Sequence, residues 1–262
     1  LMNLPELSRN SRRKIGEAIH EFGLIREGDR LLVGLSGGKD SLVLLVALRA
    51  LQQRSPVSFT LQACTVDPTE GEGCFDSLQD FCASLEVPYH CVRTPIFRMI
   101  EERNEPSPCS FCANLRRGVL SSFSRGQGCT TLCLGHHLDD VVETALMNLI
   151  FSGRFSSFSP LTWQDRTELR VIRPLVFLEE SRISAEAERL CLPVVDLNCP
   201  FSCRSMRAWI KDQVSGMSVT APSLRHNVLR ALRQGNRQGS GWASPMASLE
   251  PPSCRSSFQL ES

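Results

Sequence analysis

The stretch from Arg30 to Gln53 constrains this chain more than any other. Arg30-Leu-Leu-Val-Gly-Leu35 reads as a buried strand and runs straight into Ser36-Gly-Gly-Lys-Asp-Ser41. A helix from Leu42 to Gln53, apolar nearly all round, follows. The alternation then continues. A strand alternates through Val57, Phe59, Leu61 and Ala63 to Asp67, and a helix carries Phe75, Leu78, Phe81, Cys82 and Leu85 on one side. A short strand lies near Tyr89–Val92, a helix near Leu115–Phe123, a strand at Thr130–Leu134 and a helix at Leu138–Phe151. Strands alternating with helices of this length imply crossover units and an α/β fold, a parallel sheet with helices on both faces. A further helix is expected ahead of the first strand, from about Ser8 to Phe22, with Gly23 as its stop.

The expected organisation is an N-terminal helix in 1–28, an α/β domain over 29–197, a basic helical extension over 198–233, with helices near Arg204–Val214 and Ser223–Arg233, and a disordered Gly-, Ser- and Pro-rich tail over 234–262. From Cys199 to Arg237 seven basic residues (Arg204, Arg207, Lys211, Arg225, Arg230, Arg233, Arg237) face one acidic residue, Asp212, although the net charge is only +1. The longest apolar run, Leu42–Leu48, is far short of the ~20 residues of a membrane span. With no secretion-signal pattern either, a cytoplasmic protein without membrane attachment is expected.

The glycine loop is the first candidate for chemistry. Between a strand and a helix, backbone N–H groups and the helix's positive end cradle phosphates. Gly37 and Gly38 let the backbone approach an anion, Lys39 adds a charge, and Ser36 and Ser41 add hydroxyl donors. It is not a Walker loop, which needs glycine at Val33 and Ser or Thr at Asp40. It also lacks the Gly-x-Gly-x-x-Gly dinucleotide pattern.

A second motif, Leu134-Gly-His-His-Leu-Asp-Asp140, follows another strand, which places it beside the loop at the carboxyl ends of parallel strands. Asp139 and Asp140 serve either as helix N-terminal charges or, with phosphate oxygens, as Mg²⁺ ligands. His136 reaches the phosphates or packs.

Twelve cysteines are present. Cys64, Cys82, Cys133 and Cys191 lie in apolar stretches and read as small buried hydrophobes. Cys109-Ser-Phe-Cys112 has ligand spacing: half a zinc site, a redox pair, or part of an iron–sulfur cluster. Completing a site takes another ligand, for which Cys199 is preferred and Cys203 competes.

The loop hexamer resembles the pyrophosphate loop of the PP-loop ATP pyrophosphatases. Taken with Pro-Cys109-Ser-Phe-Cys112, Leu-Arg-Arg-Gly118, the Asp139-Asp140 motif with Glu143-Thr144, and Val171-Ile-Arg-Pro-Leu175, the order of motifs resembles the tRNA 2-thiocytidine synthetases, the TtcA-like family, from about Ser8 to Lys211. The resemblance implies an adenine nucleotide α-hydrolase-like PP-loop fold. It implies ATP on Ser36, Gly37, Gly38, Lys39, Asp40 and Ser41, with Asp67, His136, Asp139 and Asp140 around the nucleotide and Mg²⁺ on Asp139 and Asp140. It also implies a 4Fe–4S cluster on Cys109, Cys112 and Cys199, with Lys39, Asp40 and the three cysteines as catalytic residues. The implied reaction adenylates the C2 carbonyl oxygen of a tRNA cytidine and replaces it by sulfur. Partners would be tRNA, lying over Arg116, Arg117 and the basic segment, and a cysteine desulfurase or other sulfide donor; a homodimer is left open.

Two departures from that pattern stand out: the short acidic segment Pro-Thr-Glu-Gly-Glu-Gly73 after Asp67, and Ser121 where the family has an aromatic. The competing readings are another PP-loop enzyme (a thiouridine synthase or an amine- or ammonia-using ligase) and a non-catalytic, metal-stapled nucleic-acid-binding module. The last predicts no ATP-dependent pyrophosphate release.

Overall fold

The computed structural model describes residues 5–195, 199–201, 206–234 and 242. Its sheet comprises β1 (Asp29–Gly34), β2 (Phe59–Asp67), β3 (Tyr89–Arg93), β4 (Thr131–Cys133), β5 (Leu161–Gln164) and β6 (Leu169–Ile172), in the order β3-β2-β1-β4-β6-β5. Every pairing is parallel except β5 on β6. The sheet is therefore the expected parallel one, with an antiparallel hairpin added at one edge. That hairpin has no Asn-Gly or Asp-Gly turn to announce it.

Successive side chains on a strand point to opposite faces, and β1 shows the consequence. Leu31 and Val33 enter the main core, whereas Leu32 enters a second cluster with Cys64, Leu132 and Val171. The main core is covered by α1 (Arg9–Phe22), α2 (Lys39–Gln52), α6 (Leu138–Ser152) and α7 (Glu180–Arg189). The opposite face is covered by α5 (Pro108–Gly126), whose Leu120 and Phe123 pack on the second cluster. Helix α2 is buried nearly all round, as its composition requires.

Helix α1 begins at Ser8, whose side chain accepts from Ser11 N–H, and ends at Gly23 in the left-handed region at φ +55°. Its Ile15, Ala18 and Phe22 join the main core, so the N-terminal helix is part of the α/β domain. The remaining helices are α3 (Asp76–Ser84), α4 (Ile96–Arg103), α8 (Met206–Thr220) and α9 (Leu224–Gln234), the last two packing on α6. Neither α4 nor α7 was expected from the sequence.

Other differences have plain causes. Helix α5 starts seven residues earlier than expected, because Pro108 occupies its first turn, where a missing N–H costs nothing. Cys191 is exposed rather than buried, in a left-handed turn at φ +48°. The tail expected to be disordered contributes Gln234 to α9, and Trp242 is buried against Phe22 with ring centroids 5.6 Å apart. Cys203, Arg204 and the rest of the tail lie outside the described residues.

From β1 the chain moves outward to β2 and β3, then returns to β4 on the other side. The loops leaving β1 and β4 thus lie side by side at the carboxyl edge of adjacent strands, where the strand order reverses. Such a switch point opens a crevice for a ligand.

Candidate active site

The loop after β1 closes on itself. Ser36 N–H donates to Ser41 Oγ at 3.1 Å, Ser41 Oγ–H to the Gly38 carbonyl at 2.9 Å, and Gly38 N–H to Ser36 Oγ at 3.3 Å. Gly37 sits at φ +86°, a conformation that side chains disfavour, and its carbonyl accepts from Val195 N–H at 3.0 Å. Gly38 caps α2, so the loop rests on that helix's positive end.

The loop after β4 touches the first one backbone to backbone. A Cβ on Gly135 would stand 3.1 Å from both the carbonyl carbon of Asp40 and the amide nitrogen of Ser41. His137 and Asp140 then start α6, His137 N–H donating to Asp140 Oδ2 at 3.0 Å. His136 packs on Phe158 at 5.0 Å, and its Nδ1 is buried without a partner. Burial, reinforced by the Arg173 charge, pushes the imidazole down to about 4, so it is neutral near pH 7.

Between these loops and α5 lies a cavity of about 360 Å³. Ser36, Asp40 and Ser41 line one wall, Gly135, His136 and Asp140 the next, and Arg116 and Arg117 of α5 the side opposite. Burial raises the Asp40 carboxyl, with Asp140 adding to the rise and the charges of His137 and Lys39 opposing it. Cys64, read from the sequence as a buried hydrophobe and buried here, also lines the cavity; burial pushes its thiol up to about 12.

Of the expected nucleotide-site residues, Gly37, Gly38, Lys39, Asp67 and Asp139 fall outside this lining, the last three with their side chains engaged elsewhere, and Cys109, Cys112 and Cys199 lie outside it too. Asp67 is buried at the end of β2, accepting from Thr69 N–H at 2.8 Å and Thr69 Oγ–H at 2.6 Å. Asp139 accepts Glu180 N–H at 2.7 Å and pairs with Arg225, so it anchors α7 and α9 instead of facing the cavity. Lys39 turns to Glu180, 3.0 Å away, and Asp40, 3.5 Å away.

The first turn of α5 carries Cys109 and Cys112, adjoining cavity-lining Ala113. Cys109 Sγ–H donates to the Phe201 carbonyl at 3.7 Å, which ties this turn to the segment containing Cys199. Burial raises the Cys112 thiol; Arg116 opposes this, and the nearby Cys199 and Cys109 add to it. Cys112, with Phe97, Phe111 and Phe201, packs against the small core of Val66, Ile96 and Ile100. Among the described residues, no three His, Cys, Asp or Glu side chains stand close enough to close a metal site as placed.

The chain matches the PP-loop domain family over residues 7–217. It is 39% identical over 230 residues to the tRNA-cytidine(32) 2-sulfurtransferase of Pelobacter propionicus, covering 86% of each chain. To the protein of that name from Syntrophotalea carbinolica it is 41% identical over 236 residues, covering 88% of this chain and 90% of the relative. The chain belongs to the TtcA-like family of PP-loop proteins. Its fold also matches the U34-tRNA thiolase NcsA from Methanococcus maripaludis with its 4Fe–4S cluster, at a TM-score of 0.70 and 28% identity, covering 86% of this chain and 77% of that one.

In this TtcA-like protein the basic extension has an internal task. Arg207 stands 3.5 Å from Asp140 and 3.7 Å from Glu143, and it donates to Thr144 Oγ at 3.1 Å. Lys211 meets Glu180 at 2.7 Å, Arg225 meets Asp139, and Arg233 meets Glu21 at 2.7 Å. Arg207, Lys211 and Arg225 neutralise the acidic starts of α6 and α7, and Arg233 pairs with the end of α1. These four basic residues are thus engaged within the fold, and Arg116 and Arg117 line the cavity. Sequence reasoning missed Glu180, because no local spacing links it to a loop 140 residues away. Arg173, in the quoted Val171–Leu175 motif, lies over the Phe158 ring at 5.1 Å and donates to the Ser159 carbonyl at 2.7 Å.

Proposed function

We propose that this chain is a tRNA sulfurtransferase that converts a tRNA cytidine to 2-thiocytidine, at the position 32 named for its relatives. One observation carries the reading. Helix α5 both walls the cavity beside the glycine loop and bears the Cys109–Cys112 pair, so phosphate chemistry and sulfur chemistry share a wall.

ATP places its phosphates on the loop from Ser36 to Ser41, at the positive end of α2. The C2 carbonyl oxygen of the cytidine attacks the α-phosphorus, the bond to the β-phosphate oxygen breaks, and pyrophosphate leaves. Loop amides and Lys39 stabilise the charge that develops, at ~3–4 kcal/mol per well-placed donor. Sulfide from an external donor then adds at C2 and AMP departs with the original oxygen. Of the two aspartates considered for Mg²⁺, Asp140 is the one in the cavity.

The thiols are of the kind that hold an iron–sulfur cluster: Cys109 and Cys112 share one helical turn, and the Cys109–Phe201 hydrogen bond brings the segment of Cys199 toward them. Held by these three, a 4Fe–4S cluster would supply an iron with an open position for sulfide. Arg116 and Arg117 meet tRNA phosphates, and the base enters from a single-stranded loop where it is free to splay out.

The test is reconstitution without oxygen, with iron, sulfide, ATP and tRNA transcripts carrying cytidine or uridine at position 32. The expected result is pyrophosphate release and 2-thiocytidine in the first transcript, about four irons per chain, and loss of thiolation in Cys199→Ala. Lys39→Ala is expected to keep the iron and lose at least ~100-fold in pyrophosphate release. A Lys39→Ala protein of full activity overturns the loop assignment, and thiolated uridine alone overturns the choice of base.

A further inference from the structure

Glu180 is absent from every motif in the sequence, yet it meets the glycine loop. Its carboxylate takes Lys39 Nζ at 3.0 Å on Oε1 and Lys211 Nζ at 2.7 Å on Oε2. Its own amide donates to Asp139 Oδ2 at 2.7 Å, and the other oxygen of Asp139 is held by Arg225. The side chain is thus fixed at both ends, by a backbone anchor to the second motif and by lysines on α2 and α8. Burial raises the carboxyl, but hydrogen bonds and charges from Lys211 and Lys39 outweigh it and hold it down at about 2, so it stays ionised at any working pH. Lys39, a flexible four-carbon stem ending in three donors, has two of them directed to Glu180 and Asp40.

We propose that Glu180 is a positioning residue for ATP activation: it orients the Lys39 ammonium beside the phosphate loop and, through Lys211, ties α8 to that loop. The proposal rests on the reading that Lys39 acts on the phosphates. Two charge effects separate from each other here. A carboxylate near the loop repels ATP, so its removal leaves ground-state binding unharmed. The same removal frees the lysine to wander and weakens its contribution where charge develops. A loss in kcat without a rise in KM for ATP is the signature, because the interaction is made in the transition state.

The experiment is a double-mutant cycle on the full chain, comparing wild type, Glu180→Gln, Lys39→Ala and the double variant. Steady-state pyrophosphate release from labelled ATP is followed over a range of ATP concentrations at saturating tRNA with sulfide supplied, and melting temperature is read in parallel. Glu180→Gln is expected to lose ~10-fold in kcat with KM for ATP unchanged or lower, and to add no loss in the Lys39→Ala background. Additive losses, a raised KM, or a fall in melting temperature that accounts for the lost rate would overturn the proposal and leave Glu180 a scaffold residue. Full activity in Lys39→Ala alone defeats the loop reading itself, and that single variant separates the two failures.

Discussion

Glu186 shows what one buried carboxylate does for this fold. It lies on α7, and its oxygens accept from Ser8 N–H at 3.0 Å, Ser11 Oγ–H at 2.5 Å and the Arg189 guanidinium at 2.6 Å. Burial pushes its carboxyl up, but these hydrogen bonds outweigh burial and bring it down to about 2, against an ordinary 4.5. A depressed folded-state value means stability that is complete above about pH 4.5 and is lost as pH falls toward 2. Glu186→Gln is therefore expected to cost ~1–3 kcal/mol at pH 7. In urea titrations its deficit should narrow below pH 4, and a deficit independent of pH would refute the assignment. Ser8 is legible in the sequence as a helix start, but its second partner, 178 residues away, is not.

Among elements, the contact between the two loops is decisive. Gly34 ends β1 and Gly135 follows β4 by two residues, and neither sits in a left-handed turn. Gly135 allows this approach, since a Cβ there would stand 3.1 Å from the backbone of Asp40 and Ser41 and press it back by a few tenths of an ångström. Gly135→Ala must part the loops, at ~1–3 kcal/mol, and should impair ATP binding more than cluster loading. Isothermal titration with ATP and iron analysis on one preparation check this; unchanged ATP affinity would show that the loops yield freely. Strand β1, the loop and α2 were legible because their pattern is local: an apolar run, glycines, then a helix without a polar face. Helix α7 and the β5–β6 hairpin were not. Helix α7 is short, and its Ile183 and Ala187 acquire meaning only against α2.

For the whole molecule, the issue is where charge goes. The basic residues of α8 and α9 look in the sequence like an RNA face, yet in the fold Arg207, Lys211 and Arg225 answer acids on α6 and α7. Arg117 is exposed at the cavity and donates to Asn114 Oδ1 at 2.8 Å, one turn away on its own helix. Arg117→Ala is expected to weaken tRNA binding across sequences and to lower the slope of log affinity against log salt by about 0.7–1. Arg225→Ala, whose charge is engaged internally, should leave that slope unchanged. An equal change in both would return the C-terminal helices to the RNA face.

By itself the sequence determined the α/β class, the phosphate loop, the partner motif after β4 and the cysteine pair, because each is a short pattern whose physics is local. Backbone donors at a helix start, a glycine where side chains are disfavoured and two thiols on one turn need no distant neighbour. The tertiary structure alone decided which of the two aspartates enters the cavity, that Asp67 is turned into its own strand end, and that Lys39 is held by Glu180. Each depends on which charges meet across more than a hundred residues of chain. A carboxylate's role follows from its partners, and only the packed sheet and its helices bring those partners together.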